Sequence, residues 1–316
     1  ALLLFFLALP CARAEDAARM AAVEPLKTRT YDVCISGRYA FAAVTCGLRI
    51  LDIDDAADPR EIASLVFPQA GTSTAVGNGV AYVAQGPAGV YAVDVSDPGS
   101  PTVITAIDTP GSAMMVDLYG GVLAVADGSE GLTVVHIGGP AGPQMTARGR
   151  WEGYVRGAKF YLHELYVCAG GTGIVVMETD TEGGAQLLAS CSTAGDARDS
   201  DFQGRTAFVA DGTHGVTVVD IADPRQPRVL GTNSVDDLAH GIAVRGQVVY
   251  VADGRAGVGV YLHDTAAELN RIGTLAIDDG YANKVVVHDG RLWVANDFKG
   301  LLVFDISDPQ NPTRVR

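Results

Sequence analysis

The segment GVTVVDIADP, residues 215–224, decides the fold because near-copies of it recur along the chain. Residues 89–98 read GVYAVDVSDP and residues 300–309 read GLLVFDISDP. Each copy is a glycine, a short apolar run that ends in aspartate, and an Asp-Pro turn, a pattern typical of β-strands bounded by turns. The opening glycine, called the marker glycine below, recurs every 42 residues with one final step of 43. It stands at Gly47, Gly89, Gly131, Gly173, Gly215, Gly257 and Gly300.

Each repeat contains four short strands. A V-x-V strand comes first, and a tight turn leads to a second strand such as Tyr250-Val251-Ala252. The marker glycine opens the third strand, and a less regular fourth strand follows the Asp-Pro turn. Four antiparallel strands in about 42 residues is the period of a β-propeller blade. The sequence therefore predicts an all-β fold over residues 31–316, a seven-bladed β-propeller of four-stranded antiparallel blades.

Composition excludes some classes of protein. The chain has 316 residues, of which 48% are apolar, and a formal net charge of −14. The apolar fraction excludes a disordered chain. So acidic a surface repels phosphate backbones, and we therefore expect no nucleic-acid partner. We expect a monomer, and we interpret the cysteines after residue 14 as small buried side chains rather than as disulfides.

The amino terminus is typical of a targeting segment. Residues 2–9, LLLFFLAL, precede an Ala-Arg-Ala motif that ends at residue 14, which predicts a secretory signal peptide over residues 1–14. The apolar run is too short to span a bilayer, and no later run is longer, so we expect no transmembrane segment in the mature chain. The predicted location is secreted, periplasmic or at the cell surface.

Residues 15–30 form an N-terminal segment between the predicted signal peptide and the propeller. The seventh repeat reaches the end of the chain where its fourth strand should begin. Residues 22–30 could supply that strand and close the ring. The alternative is that the chain is truncated at this end.

The third-strand motif, LRILDI at residues 48–53 and its copies, resembles the LVIVD repeat family. The resemblance extends over all seven repeats and implies a secreted or surface β-propeller. Repeats three, four and six depart from the motif, because His136, Glu178 and Leu262 stand where the others have aspartate. The family carries no established catalytic motif, so the resemblance transfers no active-site residue.

The first candidate site is a ring of variable residues at the opening of each inner strand, seventeen positions before the marker glycine. A small residue precedes most of them, and loops on a rigid scaffold commonly carry function. The ring contains two arginines and a histidine in consecutive repeats, which could hold a carboxylate or another anion. The alternative is a solvated channel mouth whose arginines pair with Asp199, Asp201 or Asp237. The members are Thr72, Met114, Arg156, Arg198, His240 and Asn283, with Tyr31 as the counterpart in the first repeat.

A second ring lies four positions before the marker glycine. Its aspartates mostly precede glycine, so each could bond its own turn; the alternative is an acidic edge that binds a basic ligand or a cation. Calcium would have to take ligands from separate blades, since no contiguous calcium loop occurs. We predict no other metal site, and the sequence does not identify a cofactor. The ring contains Gln85, Asp127, Ala169, Asp211, Asp253 and Asn296, with His214 beside Asp211 as a further candidate.

We interpret the chain as a binding or interaction module that uses its loop face to hold a protein, a peptide or a saccharide. One alternative is a hydrolase or lyase in which His240 acts as a base and Asp211 or Asp253 orients it. Another is a purely structural surface domain. The sequence carries no G-x-S-x-G, H-E-x-x-H or Walker motif that would favour an enzyme. A further set of aspartates ends the third strands, where we expect them to cap the turns: Asp52, Asp94, Asp220 and Asp305.

Overall fold

The computed structural model describes residues 29–263, 267–277 and 280–315. It confirms the predicted architecture: seven sheets of four antiparallel strands, each strand paired with the next along the chain. The described residues form strands and turns only, and hence include no helix that could cross a membrane.

The first four blades are built from consecutive strands. Blade one contains β1 (Thr30–Ser36), β2 (Tyr39–Val44), β3 (Gly47–Asp52) and β4 (Arg60–Val66). Blade two contains β5 (Ser73–Gly77), β6 (Val80–Ala84), β7 (Val90–Asp94) and β8 (Thr102–Ile107). Blade three contains β9 (Met115–Tyr119), β10 (Val122–Ala126), β11 (Leu132–His136) and β12 (Gln144–Gly149). Blade four contains β13 (Gly157–Tyr161), β14 (Glu164–Cys168), β15 (Ile174–Thr179) and β16 (Ala185–Cys191).

The last three blades follow the same order. Blade five contains β17 (Asp199–Gln203), β18 (Thr206–Ala210), β19 (Val216–Asp220) and β20 (Arg228–Asn233). Blade six contains β21 (Gly241–Arg245), β22 (Val248–Ala252), β23 (Val258–His263) and β24 (Leu269–Leu275). Blade seven contains β25 (Ala282–His288), β26 (Arg291–Asn296), β27 (Gly300–Asp305) and β28 (Thr313–Arg314).

The hydrophobic core lies between blades rather than at the centre of the ring. Seven clusters of buried side chains each join two neighbouring blades. The cluster between blades seven and one includes Trp293, which is 1% exposed, together with Val33 and Val303. Because every blade buries both of its faces, its central strands are apolar on both sides, as in Val122–Ala126.

The ring closes through side-chain packing between blades seven and one, which carry the last and the first described strands. Thr30 begins the inner strand of blade one, and Thr313–Arg314 form a two-residue fourth strand on blade seven. The predicted closing strand at residues 22–30 and the predicted signal peptide fall almost wholly on residues 1–28, outside the described residues, and stay predictions.

Isolated backbone bridges join consecutive blades. At five junctions among the described residues, a glycine two positions after a second strand pairs with a residue at the start of the next blade, as Gly86 does with Ala113; that residue is alanine in four of the five. Ala113, Ala197 and Ala239 are fully buried. A larger side chain there would separate the two backbones, which explains why this position stays small while the next one varies.

Cys34, Cys168 and Cys191 are thiols outside any disulfide. Burial, and then the neighbouring carboxylate of Asp32, raises the pKa of Cys34 to about 12. Burial also raises the pKa of Cys168 to about 12. Both side chains therefore stay protonated and unreactive in the folded protein.

The turn between the first two strands of blade four contains a strained residue. Leu162 has φ of +57° and is 63% exposed, whereas the same turn position in blade five is Gly204 with φ of +61°. A left-handed conformation costs a residue with a Cβ about 1–2 kcal/mol, and the exposed side chain gains little packing in return.

We expect Leu162→Gly to raise the free energy of unfolding by about 0.5–1 kcal/mol, because relief of strain exceeds the added freedom of the unfolded chain. Gly204→Leu is the matched reverse change, since no atom lies within 4 Å of a Cβ built there, and it should cost a similar amount. Urea unfolding of the three proteins measures both effects. A loss of stability in Leu162→Gly would show that the leucine is held by packing.

Candidate functional site

The structure places the first candidate ring at one end of the central channel. Thr72, Met114, Arg156, Arg198 and His240 each directly precede an inner strand. Their backbone N–H groups all donate to the carbonyl of the last residue of the second strand in the same blade, so the five positions are geometrically equivalent. Asn283 and Tyr31 are the second residues of β25 and β1. We call this ring the channel mouth, and the side of the propeller that carries it the loop face.

Two arginines of the channel mouth share one carboxylate. Nε of Arg156 lies 3.2 Å from Oδ2 of Asp196, and Nη2 of Arg198 lies 2.9 Å from the same oxygen. Asp196 belongs to the loop that precedes β17 and its side chain is 37% exposed. The guanidinium of Arg156 also lies over the ring of Tyr154, 4.8 Å from its centroid, where the negative face of the ring attracts it. The cluster thus holds two positive charges and one negative charge.

His240 continues this cluster toward blade seven. Nη1 of Arg198 lies 3.4 Å from Nδ1 of His240, and Nε2 of His240 lies 2.6 Å from the hydroxyl of Tyr281. The rings of His240 and Tyr281 meet edge to face at 5.1 Å. Side chains from the loops of blades four to seven therefore form one connected arc, which we call the mouth cluster: Arg156, Asp196, Arg198, His240 and Tyr281.

The electrostatics of the mouth cluster are those of a site with excess positive charge. Burial, and then the charges of Arg198 and Arg156, lowers the pKa of His240 to about 4, so the ring is neutral at pH 7. Burial and the charge of Arg156 also lower the pKa of Arg198, despite the opposing effect of Asp196. Nε of Arg198 is buried and has no hydrogen-bond partner.

The other residues of the first ring do not join the mouth cluster. The amide of Asn283 donates to the carbonyl of Thr30 and to Asp297. The hydroxyl of Thr72 donates to a backbone carbonyl of the next blade, and the sulfur of Met114 accepts from Ser112. These three side chains fasten neighbouring loops.

Sequence reasoning missed three side chains of this region: Tyr154, Asp196 and Tyr281. All three lie two positions before the first ring, on the other side of the small buried residue. The backbone bridge at that small residue gives strand-like alternation, so both flanking side chains point to the same side. The repeat therefore contained the signal, at nineteen positions before the marker glycine.

The second candidate ring is buried and bonded within its own blades. The carboxylate of Asp127 accepts from the hydroxyls of Thr109 and Thr133 and from the N–H of Gly111. Asp211 makes the equivalent three bonds. Both aspartates hold the loop that precedes their inner strand, rather than the turn that follows them.

The remaining members of that ring are bonded in similar ways. Asp253 accepts from the N–H groups of Asp236 and Asp237, and Asn296 accepts from those of Phe298 and Lys299. Gln85 is fully buried, as is the side chain of Ala169, which has no polar atom. Within residues 29–263, 267–277 and 280–315, no group of three His, Cys, Asp or Glu side chains is arranged to hold a metal ion.

His240 is not brought to Asp211 or Asp253. Both carboxylates direct their oxygens at their own loops, and the partners of His240 in the described chain are Arg198 and Tyr281. His214 is exposed, beside Asp211 in the turn between β18 and β19. The His/Asp arrangement of the enzyme alternative is therefore not formed by these residues.

The aspartates at the ends of the third strands lie on the opposite face. Each accepts the backbone N–H two residues later, as Asp94 does from Ser96 at 2.9 Å and Asp220 does from Ala222 at 2.9 Å. These bonds cap the turns, as the sequence predicts. Asp220 also accepts two bonds from Arg228, which is 73% exposed.

We expect the protein to lose stability between about pH 6.5 and pH 4 through His240. Its folded-state pKa is about 4, whereas histidine in an unfolded chain titrates near 6.5. Below pH 6.5 the unfolded chain takes up a proton that the folded protein excludes, so the free energy of unfolding falls until about pH 4. Urea unfolding at pH 7 and pH 5 should show a loss that is about 2 kcal/mol smaller in His240→Gln than in the natural protein. Equal losses would contradict the low pKa.

Comparison with sequence families gives a match along most of the ring. The sequence pattern of the LVIVD repeat matches residues 29–65, 72–109, 110–148, 194–234 and 279–316. These ranges correspond to blades one, two, three, five and seven, and together they cover more than half of the chain. The ranges between them carry Glu178 and Leu262 in place of the third-strand aspartate.

Solved β-propellers resemble this fold at low sequence identity. The WD40 β-propeller domain of Doa1 has a TM-score of 0.73 at 10% identity, covering 91% of this chain and 96% of that chain. The β-propeller domain of Cps50 (Swd1) from Myceliophteria thermophila has a TM-score of 0.72 at 10% identity, with 89% and 98% covered. The computationally designed Ika8 protein has a TM-score of 0.64 at 11% identity, covering 88% of this chain and 96% of that chain. Likeness at this identity shows the fold alone. No curated protein matches the sequence.

Proposed function

The chain belongs to the LVIVD repeat family, and from that premise we propose that it is a binding module that holds an anionic partner at the mouth cluster. The observation that carries the proposal is the shared carboxylate. Two guanidinium groups from adjacent blades meet a single carboxylate of the chain, which leaves positive charge concentrated at one point of a protein whose net charge is −14.

Charge at this point favours an anion over other ligands. A positive site within an acidic surface attracts anions locally and repels cations. Guanidinium groups bind carboxylates through paired, charge-assisted hydrogen bonds. The buried, unpartnered Nε of Arg198 and the lowered pKa of Arg198 indicate a positive charge that the chain itself does not fully compensate.

The loop face also offers room beside the mouth cluster. A shallow, open surface depression of about 670 Å³ lies between blades six and seven, lined by Arg255, Ile277, Gly280, Phe298 and Lys299. Gly280 directly precedes Tyr281, so the depression begins next to the cluster. A saccharide or a peptide that carries carboxylates would extend from the arginines into this space.

We propose that the protein acts in an extracellular compartment, as a secreted, periplasmic or surface protein. The apolar run at residues 2–9 and the Ala-Arg-Ala motif after it support this location. Low-molecular-weight carboxylates, uronates and acidic peptides are therefore the first ligands to test.

Thermal unfolding with a panel of ligands tests the binding role. The panel contains glutarate, galacturonate oligomers, an acidic peptide and neutral oligosaccharides of equal length. A ligand that binds only the folded state adds about 2.7 kcal/mol of stability at one hundred times its dissociation constant. We expect stabilisation by at least one anionic compound and none by the neutral sugars.

The matched control separates the site from general charge effects. Arg198→Ala should abolish the stabilisation, whereas Arg228→Ala should retain it, because Arg228 pairs with Asp220 on the opposite face of the same blade. Equal stabilisation of both variants would place the anion elsewhere. No stabilisation by any anion would favour the structural role instead.

A further inference from the structure

The carboxylate of Asp196 occupies the position at which an anionic group of a ligand would contact the two arginines. Its carboxylate lies between two arginines that reach it from the inner strands of blades four and five, with contacts of 3.2 and 2.9 Å to a single oxygen. We infer that Asp196 is an internal stand-in for a carboxylate of the partner, and that a partner with at least two carboxylates displaces it from Arg156 and Arg198. The inference rests on the proposed function.

The fold itself does not require a carboxylate at this position. The equivalent residues, nineteen positions before the marker glycine, are uncharged in repeats two, three, four, six and seven. The small residue that follows Asp196, Ala197, forms the bridge between blades through its backbone alone. Asp196 is also not buried, since 37% of its side chain is exposed. The equivalents are Ala70, Ser112, Tyr154, Leu238 and Tyr281.

The position of Asp196 allows it to leave. The bonds that hold its side chain come from the two arginines. A Cβ built on Gly170 would lie only 3.2 Å from Oδ1 of Asp196, so the glycine accommodates the carboxylate where it now lies, and 37% of the side chain is exposed to solvent. A carboxylate so placed can rotate toward solvent without disturbing a strand.

The number of charges at the two arginines determines how many carboxylates the partner must carry. Asp196 competes as a tethered group, with an effective concentration of roughly millimolar or more. A monocarboxylate that replaces it leaves the number of charges at the two arginines unchanged and gains little. A dicarboxylate supplies one carboxylate to each guanidinium, and so meets the positive charge that Asp196 leaves uncompensated.

Titration calorimetry with glutarate and with acetate tests this inference on the full chain. We expect Asp196→Asn to bind glutarate about tenfold more tightly than the natural protein, because the internal competitor has lost its charge. The ratio of the affinity for glutarate to the affinity for acetate should also be larger in the natural protein than in Asp196→Asn. The matched control is Asp220→Asn, which removes a carboxylate from Arg228 on the opposite face and should leave both affinities unchanged.

Spectroscopy of the arginine side chains gives a readout that a purely structural role would not move. In a ¹H–¹⁵N spectrum, the substitution Asp196→Asn should shift the Nε–H signals of Arg156 and Arg198. Glutarate added to the natural protein should shift the same signals in the same direction. Glutarate binding that is unchanged or weaker in Asp196→Asn would overturn the inference and leave the proposed function standing. Binding in Asp196→Asn with none in the natural protein would show that a dicarboxylate does not displace Asp196, which would overturn the inference and also count against anion binding as the native role. No binding in either protein would remove both.

Discussion

Gly131→Ala should lower the free energy of unfolding by about 3–5 kcal/mol, the largest effect of a single methyl group that we expect in this protein. Gly131 is the marker glycine of blade three and has φ of +90°. A Cβ there would overlap the carbonyl oxygen of Gly149, which belongs to the fourth strand of the same blade. The side chain would therefore force apart two paired strands as well as adopt an unfavourable backbone conformation.

A control at a second glycine of blade three separates these two costs. Gly142 also has a positive φ, +79°, but no atom lies within 4 Å of a Cβ built on it. Gly142→Ala should therefore cost only about 1–2 kcal/mol. Urea unfolding of the two variants gives the comparison. Equal losses would show that the marker glycine is required for its conformation alone, and not for the contact between strands three and four.

The marker glycines as a set share this geometry. All seven have positive φ, between +72° and +130°. In six of the seven, a Cβ would meet the carbonyl of the fourth-strand residue that pairs with the residue after the glycine, as at Gly89, where the carbonyl is that of Ile107, the partner of Val90. The 42-residue period therefore reflects one steric requirement in each blade: the residue that opens the third strand must lack a Cβ.

Asp199→Ala should cost about 3–5 kcal/mol because it would leave a buried ammonium group without a partner. Nζ of Lys284 lies 2.6 Å from Oδ2 of Asp199, and the two side chains are 14% and 5% exposed. The pair links blade seven to blade five across blade six. Asp199 also accepts the backbone N–H of Ile242 at 3.0 Å, so its removal frees a second donor.

Glycine in blade six makes this link possible. A Cβ on Gly241 would lie 3.0 Å from Cα and 3.3 Å from Cδ of Lys284. The lysine therefore passes over the inner strand of blade six at a position that has no side chain. We chose Asp199→Ala rather than a change at Gly241 because it leaves this backbone contact intact.

A double-mutant cycle isolates the energy of the pair. Urea unfolding of Asp199→Ala, Lys284→Met and the double variant should give a coupling energy of about 1–3 kcal/mol. The exposed pair of Arg38 and Asp52 is the control, since Arg38 is 51% exposed and solvent screens the attraction within such pairs. A coupling energy no larger than that of the exposed pair would contradict the buried link.

The charged side chains inside the channel make contacts that the sequence did not predict. Asp32, Asp117 and Asp199 each accept a backbone N–H from the inner strand of the next blade, as Asp117 does from Phe160 at 2.7 Å. Lys159 pairs with Asp201, and the carboxylates of Asp201 and Asp199 outweigh the effect of burial and raise its pKa. These residues follow the same period as the marker glycine. However, the repeat does not reveal which of them bond to a neighbour, because partners come from other blades.

The candidate site was predictable only in part for the same reason. The period assigns Arg156, Arg198 and His240 to equivalent positions, and their backbone N–H groups make equivalent bonds. That these side chains hold a ligand stays a prediction. The sequence suggested Asp199, Asp201 or Asp237 as partners of the arginines, and the structure instead gives them Asp196. The loop that carries Asp196 is irregular, so its side-chain directions depend on the bridge to the preceding blade.

The sequence by itself determined the fold class, the number of blades and the order of strands. These features follow from local requirements that recur along the chain: alternation of apolar residues and a glycine with positive φ in every repeat, and an Asp-Pro turn in four of the seven. Only the tertiary structure decided which charged side chains meet, as Lys284 meets Asp199 across an intervening blade and Arg156 meets Arg198 at Asp196. The physical reason is that a repeat constrains the backbone within one blade, whereas ion pairs depend on distances between blades that no local pattern encodes.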